Sequence, residues 1–394
     1  MRRILIALAA ATVMTSAAAA GDEIKIGVMV GFTGPIESLA PNIAAGAELA
    51  IKEVSDSKAL LSGAMVTPVR GDTTCIDAAA ATAAAERLIT ADRVNAIVGG
   101  DCSGVTTAML QNVAMPNGVV MISPSATSPA LSTLDDNGLF FRTSPSDARQ
   151  GQVIAEVLKE RGVGTVAITY TNNDYGKGLA DSIATNFKAV GGAVTIEAAH
   201  EDGKGDYAAE VAALAAAGGD VLVVAGYLDQ GGKGIIQSAL DTGAFDTFLL
   251  PDGMIGDSLV EAIGADLNGS FGTVPGTDSK GAATFVDLAA AAGFKAGPFN
   301  GEAYDAAALI LLAMQAAGSA DSGKLKDHVM AVANAPGEKI HPGDLGKALE
   351  IIAAGGDVDY VGASAVELIG AGESAGNYRE IAIEDGKIVT VRYR

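Results

Sequence analysis

"TVAITYTNNDYGKGLADSIATNFKAVGGAVTIEAA", residues 165–199, decides the fold class. "TVAITYT" is an apolar, β-branched run that stops at Asn-Asn-Asp, the mark of a buried strand. "GKGLADSIATNFKAVG" reads as a helix ending at paired glycines, and "AVTIEAA" is a second strand. Strand, helix and strand at this spacing make a parallel βαβ unit, because two parallel strands need a crossover of about a dozen residues.

The same rhythm extends in both directions. Upstream, "EIKIGVMV" is a strand that ends in the turn "GFTGP", and "PNIAAGAELAIKEV" is a helix with Pro41 in its first turn. "MVTPVRGD", "VNAIVGG" and "GVVMISPSATSP" are strands, separated by helices over "CIDAAAATAAAERLI" and from about Ser103 to Met115. Downstream come helix "YAAEVAALAAAG", strand "DVLVVAGY", helix "GGKGIIQSALDTG" and strand "TFLLPDG". The rhythm restarts near Thr143–Pro145, which predicts two doubly wound, Rossmann-like α/β lobes rather than one. "FGTVPGTDSKG" is a second expected crossover, three alanine-rich helical stretches follow between Lys280 and Ala353, and "EIAIEDGKIVTV" is a hairpin turning at Asp-Gly. The expected division is residues 21–143 plus 276–377 in the first lobe, and 144–275 plus 378–394 in the second.

"MRRILIALAAATVMTSAAAA", residues 1–20, has a basic start, a short apolar stretch and small residues near Ala20. It reads as a cleaved secretory signal peptide and places the chain in a periplasm. No cysteine follows the small residues, so no lipid anchor is expected. The net charge of −21 argues against nucleic acid as a partner. In an oxidising compartment the only two cysteines, Cys75 and Cys102, are expected to pair. Catalysis is poorly supported. His200, His328 and His341 are the only histidines, no Gly-x-Ser-x-Gly elbow exists, and "QGGKGI" lacks the spacing of a phosphate loop. No metal site is expected from two distant cysteines and three scattered histidines.

Polar residues stand instead at strand ends. In the first half these are Ser103, and Ser125, Ala126 and Thr127 of "SPSATSP". Hydroxyls and free N–H groups at a helix start suit a carboxylate, although ordinary helix capping uses the same residues. The second half offers Tyr175 in "TNNDYGKG", Tyr227 in "AGYLDQ" and Asp252 in "LPDGM". An acid beside aromatic rings suits an ammonium group. Together the two halves would hold a zwitterion between them.

The order "TGP", Cys75, "CSG", "SPSATSP", "YTNNDYGKG", "AGY" and "LPDG" resembles the periplasmic branched-chain amino acid-binding proteins, the substrate-binding components of ABC importers. The resemblance implies a type I periplasmic binding fold with two lobes and a three-segment hinge. It implies a receptor, not an enzyme, that needs no cofactor, is expected as a monomer, and delivers an amino acid or related amide to a membrane permease. A sensor on the same fold is the alternative. By position, Ser103, Thr127 and the backbone at Ser125 would take the ligand carboxylate, while Tyr175, Tyr227 and Asp252 would take its ammonium. Cys75 and Cys102 match the family's disulfide. Leu39, Asp101, Cys102 and Phe299 fall at the pocket wall. Asp101 stands where relatives carry an apolar residue, so a polar or cationic ligand side group is expected unless Asp101 merely caps the following helix.

Overall fold

The computed structural model describes residues 23–394, so the expected signal peptide lies outside the described residues. Two seven-stranded sheets organise the chain. The first is built on β1 (Ile24–Val30), β2 (Val66–Asp72), β3 (Ala96–Gly99), β4 (Met121–Ser123) and β5 (Phe140–Pro145). The second is built on β6 (Thr165–Thr171), β7 (Ala193–His200), β8 (Val221–Ala225), β9 (Phe248–Leu250) and β10 (Phe271–Pro275). All neighbours within each set run parallel. Every side chain of the central strand β8 is buried, as a parallel strand covered on both faces requires.

Later segments complete both sheets and form one small one. β11 (Glu338–Ile340) and β12 (Val358–Tyr360) make a separate parallel pair. β13 (Leu368–Ile369) and β14 (Glu373–Ser374) extend the first sheet beyond β5. The hairpin of β15 (Tyr378–Glu384) and β16 (Lys387–Tyr393) extends the second, with β15 antiparallel to β10. Its turn residues Asp385 and Gly386 both have positive φ, the geometry for which Asp-Gly is selected. The chain thus crosses between sheets after β5, after β10 and between β14 and β15. The first crossing follows Pro145 rather than residue 143, because β5 still pairs with β14 at Pro145.

Three local differences from the sequence reading have simple causes. The strand expected over "GVVMISPSATSP" is only Met121–Ser123, since Pro124 cannot donate to a ladder. The helix expected from Cys75 starts at Ala78, where the Asp77 carboxylate caps the N–H groups of Ala79 and Ala80. β11 to β14 were not foreseen; two or three residues carry too short a pattern to register.

The helix Asn300–Ala317 is apolar on nearly all sides and buried from Glu302 to Met314. It packs on the helix Ala40–Ser57 of the first lobe. Their approach requires Gly46, where a Cβ would sit 2.2 Å from the Asn300 carbonyl oxygen. Such a helix is a core element, and among the described residues no single helix is long and apolar enough to cross a membrane.

Candidate ligand-binding site

A narrow cavity lies between the lobes, at the carboxyl ends of strands from both sheets. From the first lobe, Asp101, Cys102 and Ser103 follow β3, and Ser125 follows β4. From the second, Tyr175 follows β6, Tyr227 follows β8, and Asp252 and Gly253 follow β9. Ile36, Leu39, Ile43 and Phe299 close one side with apolar surface.

The first-lobe half presents hydroxyls and a helix start. Cys102 is the N-cap of the helix opening at Ser103 and gives it no side-chain cap, so the N–H groups of that first turn keep their donors for another partner. The Cys75–Cys102 disulfide, with Cα atoms 5.1 Å apart, ties this turn to the loop after β2. The Ser103 hydroxyl accepts from the Ser128 N–H at 3.1 Å, which leaves its own proton to donate. Arg142, fully buried, donates to the carbonyls of Ala126 at 3.0 Å and Ser128 at 2.9 Å. It also pairs with Glu373 at 2.5 Å. Ala126 is therefore a brace: its N–H goes to Ser123 Oγ and its carbonyl to Arg142, and it does not line the cavity. Ser125 lines the cavity, while its hydroxyl donates back to the Asp101 carbonyl at 3.1 Å. Thr127 is buried with its hydroxyl unpartnered.

The second-lobe half is acidic and aromatic. The Tyr175 hydroxyl donates to Asp252 Oδ1 at 2.6 Å, and the Gly253 N–H donates to the same oxygen at 2.9 Å. Tyr175 and Tyr227 stack with ring centroids 5.1 Å apart. Only glycine fits at 253, because a Cβ there would lie 2.6 Å from the Gly226 carbonyl and 2.7 Å from the Tyr175 hydroxyl. Burial raises the Asp252 carboxyl to about 6 despite these donors.

Asp147 escaped the sequence reading. It opens the helix Asp147–Glu160, where an acid after the cap Ser146 is ordinary. In the structure it is completely buried, neither carboxylate oxygen has a hydrogen-bond partner, and its N–H donates to the Thr127 carbonyl at 2.8 Å. Burial first, and the neighbouring Asp252 charge second, push its carboxyl well above the usual range. Arg142 was missed too. A charged residue inside the apolar run "FFRTSPSD" was the available signal.

Asp101 corrects the expectation built on it. Its carboxylate lines the cavity, yet Oδ2 accepts from the Gly31 N–H at 2.5 Å, and Oδ1 accepts from the Thr73 hydroxyl at 2.7 Å and the Cys102 N–H at 3.0 Å. It neither caps the helix nor lacks partners: it knots together the loops after β1, β2 and β3. A polar ligand side group is no longer needed to satisfy it. The rest of the wall is aliphatic or aromatic, and Ile36 and Ile43 join the expected Leu39 and Phe299. Among the described residues no group of three or more His, Cys, Asp or Glu could hold a metal ion.

Comparison with known proteins agrees with this architecture. Residues 23–336 match the model of a periplasmic binding protein family. A leucine-, isoleucine-, valine-, threonine- and alanine-binding protein of Pseudomonas aeruginosa is 30% identical over 317 residues, 79% of this chain and 83% of that protein. A Leu/Ile/Val-binding protein homologue of Brucella abortus is 30% identical over 82% of this chain and 86% of its own. In fold, a leucine-binding protein of Thermotoga maritima superposes with a TM-score of 0.79 at 23% identity, covering 94% of this chain and 98% of that one. A benzoate-bound solute-binding protein of R. palustris superposes at 0.76 and 19% identity, over 94% of this chain and 96% of its own. Such proteins bind solutes and catalyse nothing. With two doubly wound lobes, a cleft at their strand ends and this similarity along most of its length, the chain belongs to the periplasmic binding protein family.

Proposed function

We propose that the protein captures an α-amino acid with an apolar side chain and delivers it to an ABC permease in the inner membrane, after export with cleavage near Ala20. The observation that carries the ammonium half is Asp252 in the cavity wall beside two stacked tyrosines, with the buried, unbonded Asp147 carboxylate as its neighbour behind the wall. A buried carboxylate is costly unless a cation meets it. An ammonium supplies that cation, and an aromatic acid such as benzoate does not. The uncapped helix start at Ser103, with the Ser103 hydroxyl, suits the carboxylate. Ile36, Leu39, Ile43 and Phe299 suit an aliphatic side chain, and relatives named for leucine, isoleucine and valine support the same choice.

A thermal-shift panel of the twenty amino acids, small amides, benzoate and 4-hydroxybenzoate tests this reading. Leucine, isoleucine or valine is expected to give the largest stabilisation. A larger shift with an aromatic acid or with a charged amino acid would refute it.

A further inference from the structure

We propose that Asp229 is the latch that holds the lobes closed, setting ligand affinity and residence time without touching the ligand. It lies in the second lobe, just after Tyr227 and before the helix Gly231–Thr242, and it is not part of the cavity lining. Its carboxylate works across the cleft. Oδ2 accepts from the Ser38 N–H at 2.9 Å, and the Asp229 N–H donates to the Pro35 carbonyl at 3.1 Å. Oδ1 accepts from the Ser258 hydroxyl at 2.7 Å, and the Ser258 and Ser38 hydroxyls meet at 3.2 Å. Pro35 and Ser38 belong to the first-lobe loop after β1.

That loop also carries Ile36 and Leu39, two residues of the apolar wall. Fastening Pro35 and Ser38 to the second lobe therefore seats the wall over the cavity in the same motion. Leu39 is fitted at the seam itself, where its Cδ2 lies 3.1 Å from the place a Cβ on Gly256 would occupy. An ion pair also spans the lobes here, Lys295 with Asp257 at 2.5 Å, but its two side chains are 74% and 58% exposed. Exposed pairs of that kind contribute little. Asp229 is half-buried and its two oxygens accept from both lobes, which makes its bonds the stronger set.

The bonds to Pro35 and Ser38 exist only when the lobes are together. They favour the closed form, and apparent affinity scales with the fraction of binding-competent protein. The latch should thus act on any ligand the cavity accepts. It rests on the proposed function only in needing some ligand, so leucine and benzoate are used as parallel probes.

The test is stopped-flow dissociation of each probe from wild type, Asp229→Ala, Asp229→Asn and Ser258→Ala, with ligand-free melting as a control. Asp229→Ala is expected to release the bound probe roughly tenfold faster or more, with a smaller change in association. Asp229→Asn keeps one acceptor oxygen and should fall between Ala and wild type. Ser258→Ala removes one donor and should show a smaller increase, which keeps the test open if Asp229→Ala folds poorly. Release from Asp229→Ala or Ser258→Ala at the wild-type rate, with melting unchanged, would overturn the latch. Binding of benzoate but not leucine would sink the amino-acid reading and leave the latch tested by benzoate.

Discussion

The Tyr175 hydroxyl points its proton at Asp252 Oδ1 across 2.6 Å, and the Gly253 N–H is 2.9 Å from the same oxygen. Two donors spent on one oxygen hold the carboxylate in a fixed orientation within a buried site. Asp252→Asn keeps the size and removes the charge. Breaking a buried charge pair costs roughly 3–5 kcal/mol, or two to four decades of affinity. Calorimetry with leucine should show a loss of that order for Asp252→Asn. A change within threefold would make Asp252 a turn residue.

Asp147 predicts a proton count. In the ligand-free protein burial first and the Asp252 charge second push its carboxyl well above the usual range, against the opposing pull of Thr127 and Arg142. An arriving ammonium favours the ionised form, and binding should therefore release a proton. The sign follows: both carboxyls are raised, so affinity falls as pH drops and they protonate, with Asp252, raised to about 6, lost to binding below that pH. Calorimetry at pH 7 in two buffers of different ionisation enthalpy reads the release directly. Asp147→Asn should abolish most of it. Equal apparent enthalpies for wild type in the two buffers would contradict the assignment.

The disulfide should act on stability and on binding together. Cys75 and Cys102 are 27 residues apart, and a closed loop of that size is worth roughly 3–4 kcal/mol in the chain-entropy account. Thiol labelling of denatured, unreduced protein should find no free cysteine. The Cys75→Ser, Cys102→Ser double variant should unfold at lower denaturant and bind more weakly, because Ser103 loses its anchored neighbour. Unchanged affinity in the folded variant would show that the helix start is positioned without the bridge.

Closure on the opposite flank depends on Gly178. In the second-lobe helix Asp174–Ala189 it faces Pro129 of the first lobe, and a Cβ would lie 2.9 Å from Pro129 Cδ and 3.2 Å from Ser128 Oγ. A proline ring has little freedom to yield. Gly178→Ala should stabilise the helix by roughly 0.5–1 kcal/mol and oppose closure by overpacking of about 1–3 kcal/mol. Ligand-free melting is expected to hold or rise while affinity falls. Affinity at the wild-type level would mean that the lobes close without this contact.

Much of the fold was legible because parallel strands buried on both faces, such as "DVLVVAGY" and "TVAITYT", are continuous apolar runs separated by helices of regular length. The two lobes followed from the restart after β5. The short strands β11 to β14 were illegible, since their pairing is decided by distant segments rather than by local pattern. In the site, residues at strand ends could be named because the strand ends could be named. Ser103, Ser125, Tyr175, Tyr227 and Asp252 line the cavity on that logic.

What sequence could not show was where a side chain spends its hydrogen bonds. Asp101 looked like an unsatisfied acid, but its partners Gly31 and Thr73 come from loops far away in sequence. Asp147 drew no notice in the sequence, yet in the structure neither of its carboxylate oxygens has a hydrogen-bond partner. Both are aspartates beside a helix start, and only the packing around them tells the satisfied one from the vacant one.

The most direct measurement of the central claim is calorimetric titration of the wild-type protein with leucine and with 4-methylpentanoate, which is leucine without its ammonium group. The two share the carboxylate and the branched side chain, so their difference isolates the group assigned to Asp252 and the tyrosines. Leucine should bind at least about a hundredfold more tightly, on the order of the 3 kcal/mol expected for leaving buried charge unpaired. Equal affinity for the two, or binding of 4-methylpentanoate alone, would contradict the account.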